Sequence, residues 1–220
     1  MEDFFMKKIV LIGLLALIGS CIYAAGAKEG SQYLTITGGY HGGVESATVN
    51  NIKTKTNMSG FALGLETRSM IGEKVGMGVK FGFFWPQSMS LTQNNVTYNV
   101  HRSDYKSLFG YEMLLGPAIM PVRGERFGLN ITPGLHLDYL LSSTNAASTF
   151  SFVIGLGADV SADFYLAKHF YLNGGIALSY DFYSFGSTTV ATPRGNVSVS
   201  NSGGVSTFMF QPRLGIGFRW

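Results

Sequence analysis

From about Tyr33 onward the chain places large apolar side chains at every second position, in eight successive segments separated by polar or turn-forming stretches. In the last segment Phe208, Phe210, Pro212, Leu214, Ile216, Phe218 and Trp220 alternate with Met209, Gln211, Arg213, Gly215, Gly217 and Arg219. A helix would scatter both sets around its axis, whereas a strand sends successive side chains to opposite faces and keeps the sets apart. The same rule sets Val75, Met77, Val79, Phe81, Phe83 and Trp85 against Gly76, Gly78, Lys80, Gly82 and Phe84. It also sets Phe127, Leu129, Ile131, Leu135, Leu137 and Tyr139 against Gly128, Asn130, Thr132, Gly134, His136 and Asp138. The other segments span about residues 33–40, 60–69, 105–120, 150–166 and 170–183, so the chain reads as an all-β protein of eight strands.

Within these strands Glu66, Arg68, Lys80, Lys106, Glu112, Asp138, Asp159, Asp163, Asp181, Arg213 and Arg219 all fall on the face opposite the large apolar residues. A soluble barrel would turn the apolar face inward and a membrane barrel would turn it outward. Two features select outward. Gly76, Gly78, Gly82, Gly110, Gly116, Gly155, Gly157, Gly175, Gly215 and Gly217 share the charged face, and small residues suit a crowded lumen, for which a solvent surface has no need. Aromatic residues also gather at the strand ends, Phe83, Trp85, Tyr139, Phe152, Tyr180, Phe182 and Phe208 at one and Phe127, Phe164, Phe170, Phe218 and Trp220 at the other. Two girdles around an aliphatic band match the two interfaces of a bilayer.

Composition agrees. The chain is 46% hydrophobic and only 13% charged, with mean hydropathy +0.20, which is apolar for a water-soluble domain. Yet residues 9–18 form its only long apolar run, and a spanning helix needs about 20 such residues, which leaves membrane crossing to strands. The net charge of +3 is dispersed without a basic block, so no nucleic-acid partner is expected. A single cysteine rules out an intramolecular disulfide framework.

Lys7 and Lys8, the apolar run 9–18 and the small residues Ala25-Gly26-Ala27 read as a secretory signal peptide over 1–27, with the barrel occupying 28–220. Glu2 and Asp3 do not suit such a leader and point to Met6 as the true start. Cleavage after Ala27 removes Cys21, which fits an oxidising compartment. A competing reading takes Ile18-Gly19-Ser20-Cys21 as a lipidation box, against which stand the apolar residues Ile22-Tyr23-Ala24-Ala25.

Connections after the second, fourth and sixth strands are short, near 71–74, 121–126 and 167–169, while the others are longer and rich in Ser, Thr and Asn. That alternation predicts an antiparallel up-and-down transmembrane β-barrel with short periplasmic turns, long external loops and both termini in the periplasm. Eight strands enclose an interior just wide enough for side chains to fill.

On this pattern the chain resembles the small eight-stranded outer-membrane barrels, the group of OmpX, OmpW, the OmpA membrane domain and the opacity proteins. The resemblance implies a place in the cell outer membrane, surrounded by its lipid. The run Arg213-Leu214-Gly215-Ile216-Gly217-Phe218-Arg219-Trp220 is similar to the assembly signal of such barrels. Arg213, Gly215, Phe218 and Trp220 fill the positions that the barrel-insertion machinery reads in that group.

The inward charges are nearly balanced in sign, which favours a paired plug over a selectivity ring. Glu66, Lys80, Glu112, Asp159, Asp163 and Arg213 are the expected network, with Lys80 and Glu112 on neighbouring strands as the best pair and Arg213 facing Asp159 and Asp163 across the lumen. His101 and Ser103, with Asp104 or Glu112, supply the residue types of acyl hydrolysis at no recognisable spacing, so no enzyme is expected; a lipid-A-modifying enzyme is the outlying alternative. His41, His101, His136 and His169 are too dispersed for metal ligation, and Gly76-Met77-Gly78 lies inside a strand, so no cofactor is expected. The Asn57, Asn95, Asn130 and Asn196 acceptor patterns are chance in a sequence rich in Asn, Ser and Thr.

The stretches 41–58, 86–104 and 184–204 carry hydroxyl and amide groups, and alternation at 95–101 and 196–200 suits strands that continue above the membrane. The expected function is adhesion, host contact or envelope integrity, exercised on a host or extracellular ligand through these loops. The alternative is a narrow OmpW-type channel for small or hydrophobic solutes, gated by Leu108, Leu114, Val153 and Met209.

Overall fold

The computed structural model describes residues 31–220 apart from 50, 51 and 194. The expected signal peptide, the start at Met6 and the lipidation reading of Cys21 lie outside the described residues. The strands are β1 (Gln32–Val49), β2 (Ile52–Met70), β3 (Val75–Gln93), β4 (Val96–His101), β5 (Ser107–Arg123), β6 (Phe127–Ser143), β7 (Ala147–Tyr165), β8 (Phe170–Thr192) and β9 (Gly195–Arg219). Each pairs antiparallel with its neighbours in the order β2-β1-β9-β8-β7-β6-β5-β3, and β3 closes the ring on β2. The wall therefore has eight staves. β4 is additional, pairing with the upper end of β3 through a turn in which Asn94 and Asn95 have φ of 49° and 64°. Asparagine tolerates that left-handed backbone, the geometry of a tight hairpin.

Register shows how the staves tilt. Starting at Glu66 on β2, successive partners are Lys80, Leu114, His136, Gly155, Asp181, Thr207 and Glu45, and the row returns to β2 at Thr56, ten residues from its origin. Such an offset on eight strands goes with a strand tilt of about 40°. The first and last strands, β1 and β9, are paired from Ser46 and Ser206 down to the chain end, where the amides and carbonyls of Gln32 and Trp220 bond in both directions at 2.9 and 3.1 Å.

Side-chain exposure fixes which face is inside. Leu214 is 75% exposed and its neighbour Arg213 4%. Along the whole wall the apolar face points out and the charged, glycine-bearing face points in, opposite to a soluble barrel. Ring contacts link Phe81, Phe83, Trp85, Tyr111, Tyr139 and Phe150 at one end of the outer face, and Phe127 with Phe164 and Phe218 with Trp220 at the other.

Two expectations are corrected. The long polar stretches are largely strand: the alternation at 95–101 and 196–200 does belong to strands above the membrane, and β1, β2, β3, β8 and β9 continue well past the expected ends over many further residues. Serine and threonine hydroxyls facing water on both sides erase the apolar alternation without preventing backbone pairing. Lys106 and Arg219 are not in the lumen interior. Lys106 is exposed just before β5, and Arg219 sits at the lower rim over the Tyr165 ring, 3.9 Å from its centroid.

Inward glycines make room for large partners. A Cβ at Gly110 would overlap the Phe84 ring, which is fully buried and stacked on His41 at 4.2 Å. Gly110→Leu is expected to lower barrel stability by at least about 1–3 kcal/mol, the usual cost of overpacking. Urea unfolding in lipid followed by tryptophan fluorescence measures this, and an unchanged midpoint would show that Phe84 moves aside freely.

Candidate functional site

The lumen is built in layers, read from the short-turn end upward. The lowest layer is apolar and aromatic: Tyr33, Met70, Ala118, Met120, Tyr165 and Tyr171 form one buried cluster. The Tyr171 hydroxyl bonds the Thr35 hydroxyl at 2.7 Å, and its ring occupies the space a Cβ at Gly217 would need. The sequence reading missed this layer, although Tyr171 shares its strand parity with Asn173, and Tyr165 with Asp163.

Above it Arg68, fully buried on β2, grips Asp163 on β7 with two bonds of 2.7 and 3.0 Å, while Asn173 donates to the same carboxylate at 2.7 Å. Its Nε lies 3.2 Å from Glu66, and Tyr33 covers the guanidinium at 4.7 Å. Next, Arg213 on β9 donates to Asp159 at 2.9 Å, to Asn173 at 3.0 Å and to Glu66 at 2.8 Å. Lys80 then pairs with Glu112 at 3.0 Å and also bonds Gln211. Planar guanidinium forks suit such multiple carboxylate contacts, and buried charges persist only with partners of this kind.

The structure thus brings Glu66, Asp159 and Arg213 into one group and joins Lys80 to Glu112. It assigns Asp163 to Arg68, where the sequence placed it opposite Arg213. Above these pairs His136 Nδ1 meets Asp181 at 2.8 Å across Gly155, and His41, expected in a loop, is buried in the lumen with Nδ1 3.7 Å from Glu112.

The other sequence candidates are placed as follows. Gly215 lines the lumen beside Thr35 and Thr37, whereas Phe218 and Trp220 lie on the outer face, 47% and 53% exposed. His101, Ser103 and Asp104 sit exposed at the lower end of β4, where the chain turns toward β5 and the Asp104 carboxylate accepts the His101 amide at 3.0 Å. Glu112 lies far below on β5, bound to Lys80, so that acid is not gathered with His101 and Ser103. Leu108, Leu114, Val153 and Met209 all point inward and are buried. Among the described residues no group of three His, Cys, Asp or Glu side chains is placed to hold a metal.

Above the charged layers the lumen widens. A cavity of about 180 Å³ lies beneath a vestibule of about 440 Å³, and Glu45 and Ser151 line both. Higher still the wall divides into two sheets. β9 leaves β1 beyond Ser206, and β3 is flanked above Phe84 by β4 in place of β5.

No protein-family profile matches the sequence, and no curated protein matches it. Solved structures do. OprG from Pseudomonas aeruginosa superimposes with a TM-score of 0.55 at 17% identity, covering 89% of this chain and 98% of that one. Neisserial surface protein A gives 0.52 at 11% identity, over 86% and 99%. The outer membrane protease OmpT of Escherichia coli gives 0.54 at 6% identity, over 89% and 98%. The fold is that of the small outer-membrane β-barrels. A surface protein and a protease share this architecture, so the fold names no activity.

Proposed function

We propose that the chain is an outer-membrane protein whose barrel is a closed anchor and whose working surface is the crown of extended hairpins. The observation that carries this reading is the filled lumen. An aromatic layer and successive ion-paired layers, from Arg68–Asp163 to Lys80–Glu112, cross the interior with their side chains buried.

The crown supports the second half. β4 pairs on one side only, and β9 above Ser206 pairs only with β8, so two strand edges stand unpaired. Their exposed faces carry Val96 and Tyr98 on β4 and Val197 and Val199 on β9, 51–64% exposed. Unpaired edges beside apolar side chains suit strand addition by an extended segment of a host or extracellular protein. With the long hairpins outward, the short turns and both strand termini face the periplasm.

Purified protein in planar bilayers is expected to show no discrete conductance steps. Shortening the β8–β9 hairpin by removing 187–200 is expected to abolish adhesion of expressing cells while the barrel keeps its heat-modifiable mobility on gels. Stepwise conductance would instead establish the narrow-channel alternative.

A further inference from the structure

The cavity of about 180 Å³ above the ion pairs has an unusual wall. Met209 on β9, Gly43 on β1, Met58 on β2 and Met89 on β3 are successive register partners, so three thioether side chains share one row with a glycine among them. The missing side chain at Gly43 leaves the space open. A Cβ built there would meet only Met209 Cγ at 3.4 Å, with His41 Nε2 and Met209 Sδ at 3.9 and 4.0 Å.

Two polar groups of this cavity have buried atoms without partners. Asp138 is 6% exposed, and its Oδ1 is buried without a hydrogen bond; the hydroxyl of Thr207 is in the same condition. Glu45 also lines the cavity and has no cationic partner among the described residues. Thr207 stands between Glu45 and Asp181 in the register, and the second oxygen of Asp181 is likewise unpartnered. Three acids with one histidine, His136, are thus gathered here, whereas in the layers below four acids share three bases and each touches at least one. Unsatisfied buried acceptors of this kind are costly and call for a donor.

We propose that this cavity binds a protonated amine carried on a small apolar body. Ammonium N–H groups satisfy Asp138 Oδ1 and Glu45, and the apolar part lies against Met58, Met89 and Met209, side chains that adapt to irregular shapes. A hard divalent cation would require six or more oxygen ligands, which thioethers do not supply. A quaternary ammonium offers no N–H to the orphaned acceptors, and an anion meets three acids. The site goes beyond the crown reading and does not depend on it.

The test is calorimetric titration of the full folded barrel in lipid nanodiscs with phenethylammonium, against 3-phenylpropanoate, phenethyltrimethylammonium and Ca²⁺. Saturable one-to-one binding of the amine is expected, with at least tenfold weaker binding of the other three. Asp138→Asn should weaken the amine at least tenfold, and Gly43→Leu, which fills the cavity from its wall, should abolish binding while heat-modifiable mobility persists. Should either variant fail to fold, Glu45→Gln at the cavity mouth carries the same expectation. Amine binding unchanged by these substitutions, equal binding of the trimethyl or carboxylate analogue, or Asp138-dependent binding of Ca²⁺ in its place would overturn the assignment.

Discussion

Replacing Arg68 by leucine is expected to lower the unfolding free energy of the barrel by about 3–5 kcal/mol, the cost of stranding a buried charge. The guanidinium is fully buried, holds Asp163 through bonds of 2.7 and 3.0 Å and lies 3.2 Å from Glu66. Its removal leaves the Asp163 carboxylate with Asn173 and no cation in a site closed to water. The penalty comes from the stranded acid more than from the lost attraction, because a buried pair is itself close to break-even against an apolar pair of similar volume. The double variant Arg68→Leu/Asp163→Leu is therefore expected to recover much of the loss. Urea titration in lipid vesicles reads both. A single variant within about 1 kcal/mol of the parent, or a double variant no better than the single, would show that the lumen rehydrates and that the ion pair is not what closes it.

The second large effect is expected at Arg213, which two separate roles converge upon. Its side chain ties β9 to Asp159 on β7, Asn173 on β8 and Glu66 on β2. Its place in the C-terminal run also matches the signal expected to be read during insertion. Arg213→Leu should cost about 3–5 kcal/mol by orphaning Asp159 and leaving Glu66 with Arg68 as its remaining cation. Arg213→Lys keeps the charge but, as a point donor without the planar fork, should retain only part of these contacts. Trp220→Ala should separate the roles from the other side: half exposed on the lipid face, it should lower the unfolding free energy by about 1 kcal/mol or less while slowing insertion by reconstituted assembly machinery. Equal insertion rates for the parent and Trp220→Ala would remove the assembly role from the terminal aromatic.

Much of this architecture was legible because a period of two carries its own check. Arg213 beside Leu214, or Lys80 between Val79 and Phe81, allows only one assignment of faces once glycine is seen on the charged side. Partner choice was harder. Lys80 and Glu112 lie almost level on adjacent staves, with Lys80 opposite Leu114 and Glu112 opposite Gly82, so their pairing follows from a single strand contact. Arg213 lies level with Ser161, midway between Asp159 and Asp163, so strand pairing alone does not choose between them; Asp163 is taken by Arg68, which leaves Asp159 and Glu66 to Arg213. The inward aromatics were passed over for another reason. Phe84 stands on the charged face already in the sequence; Tyr33 and Tyr171 share that parity, but aromatic residues near strand ends suggest a lipid interface, and the crowding at Gly217 shows that the Tyr171 ring turns inward. Outside 95–101 and 196–200 the strand extensions were hard to read, because hydroxyl-rich hairpins wet on both faces carry little apolar rhythm.

The ten-residue offset has a consequence for how such a chain can change over generations. Strand number and offset together set the girth of the tube, so each level of the interior offers a nearly constant cross-section whatever residues fill it. A ring such as that of Phe84 is then admissible only because Gly110 stands on the next stave, and Tyr171 only because of Gly217. Bulk inside this protein is a shared quantity that neighbouring staves exchange, while the lipid-facing residues beside them drift independently. Lumen positions of this fold should therefore vary in compensating pairs across a strand boundary, and outer positions one at a time.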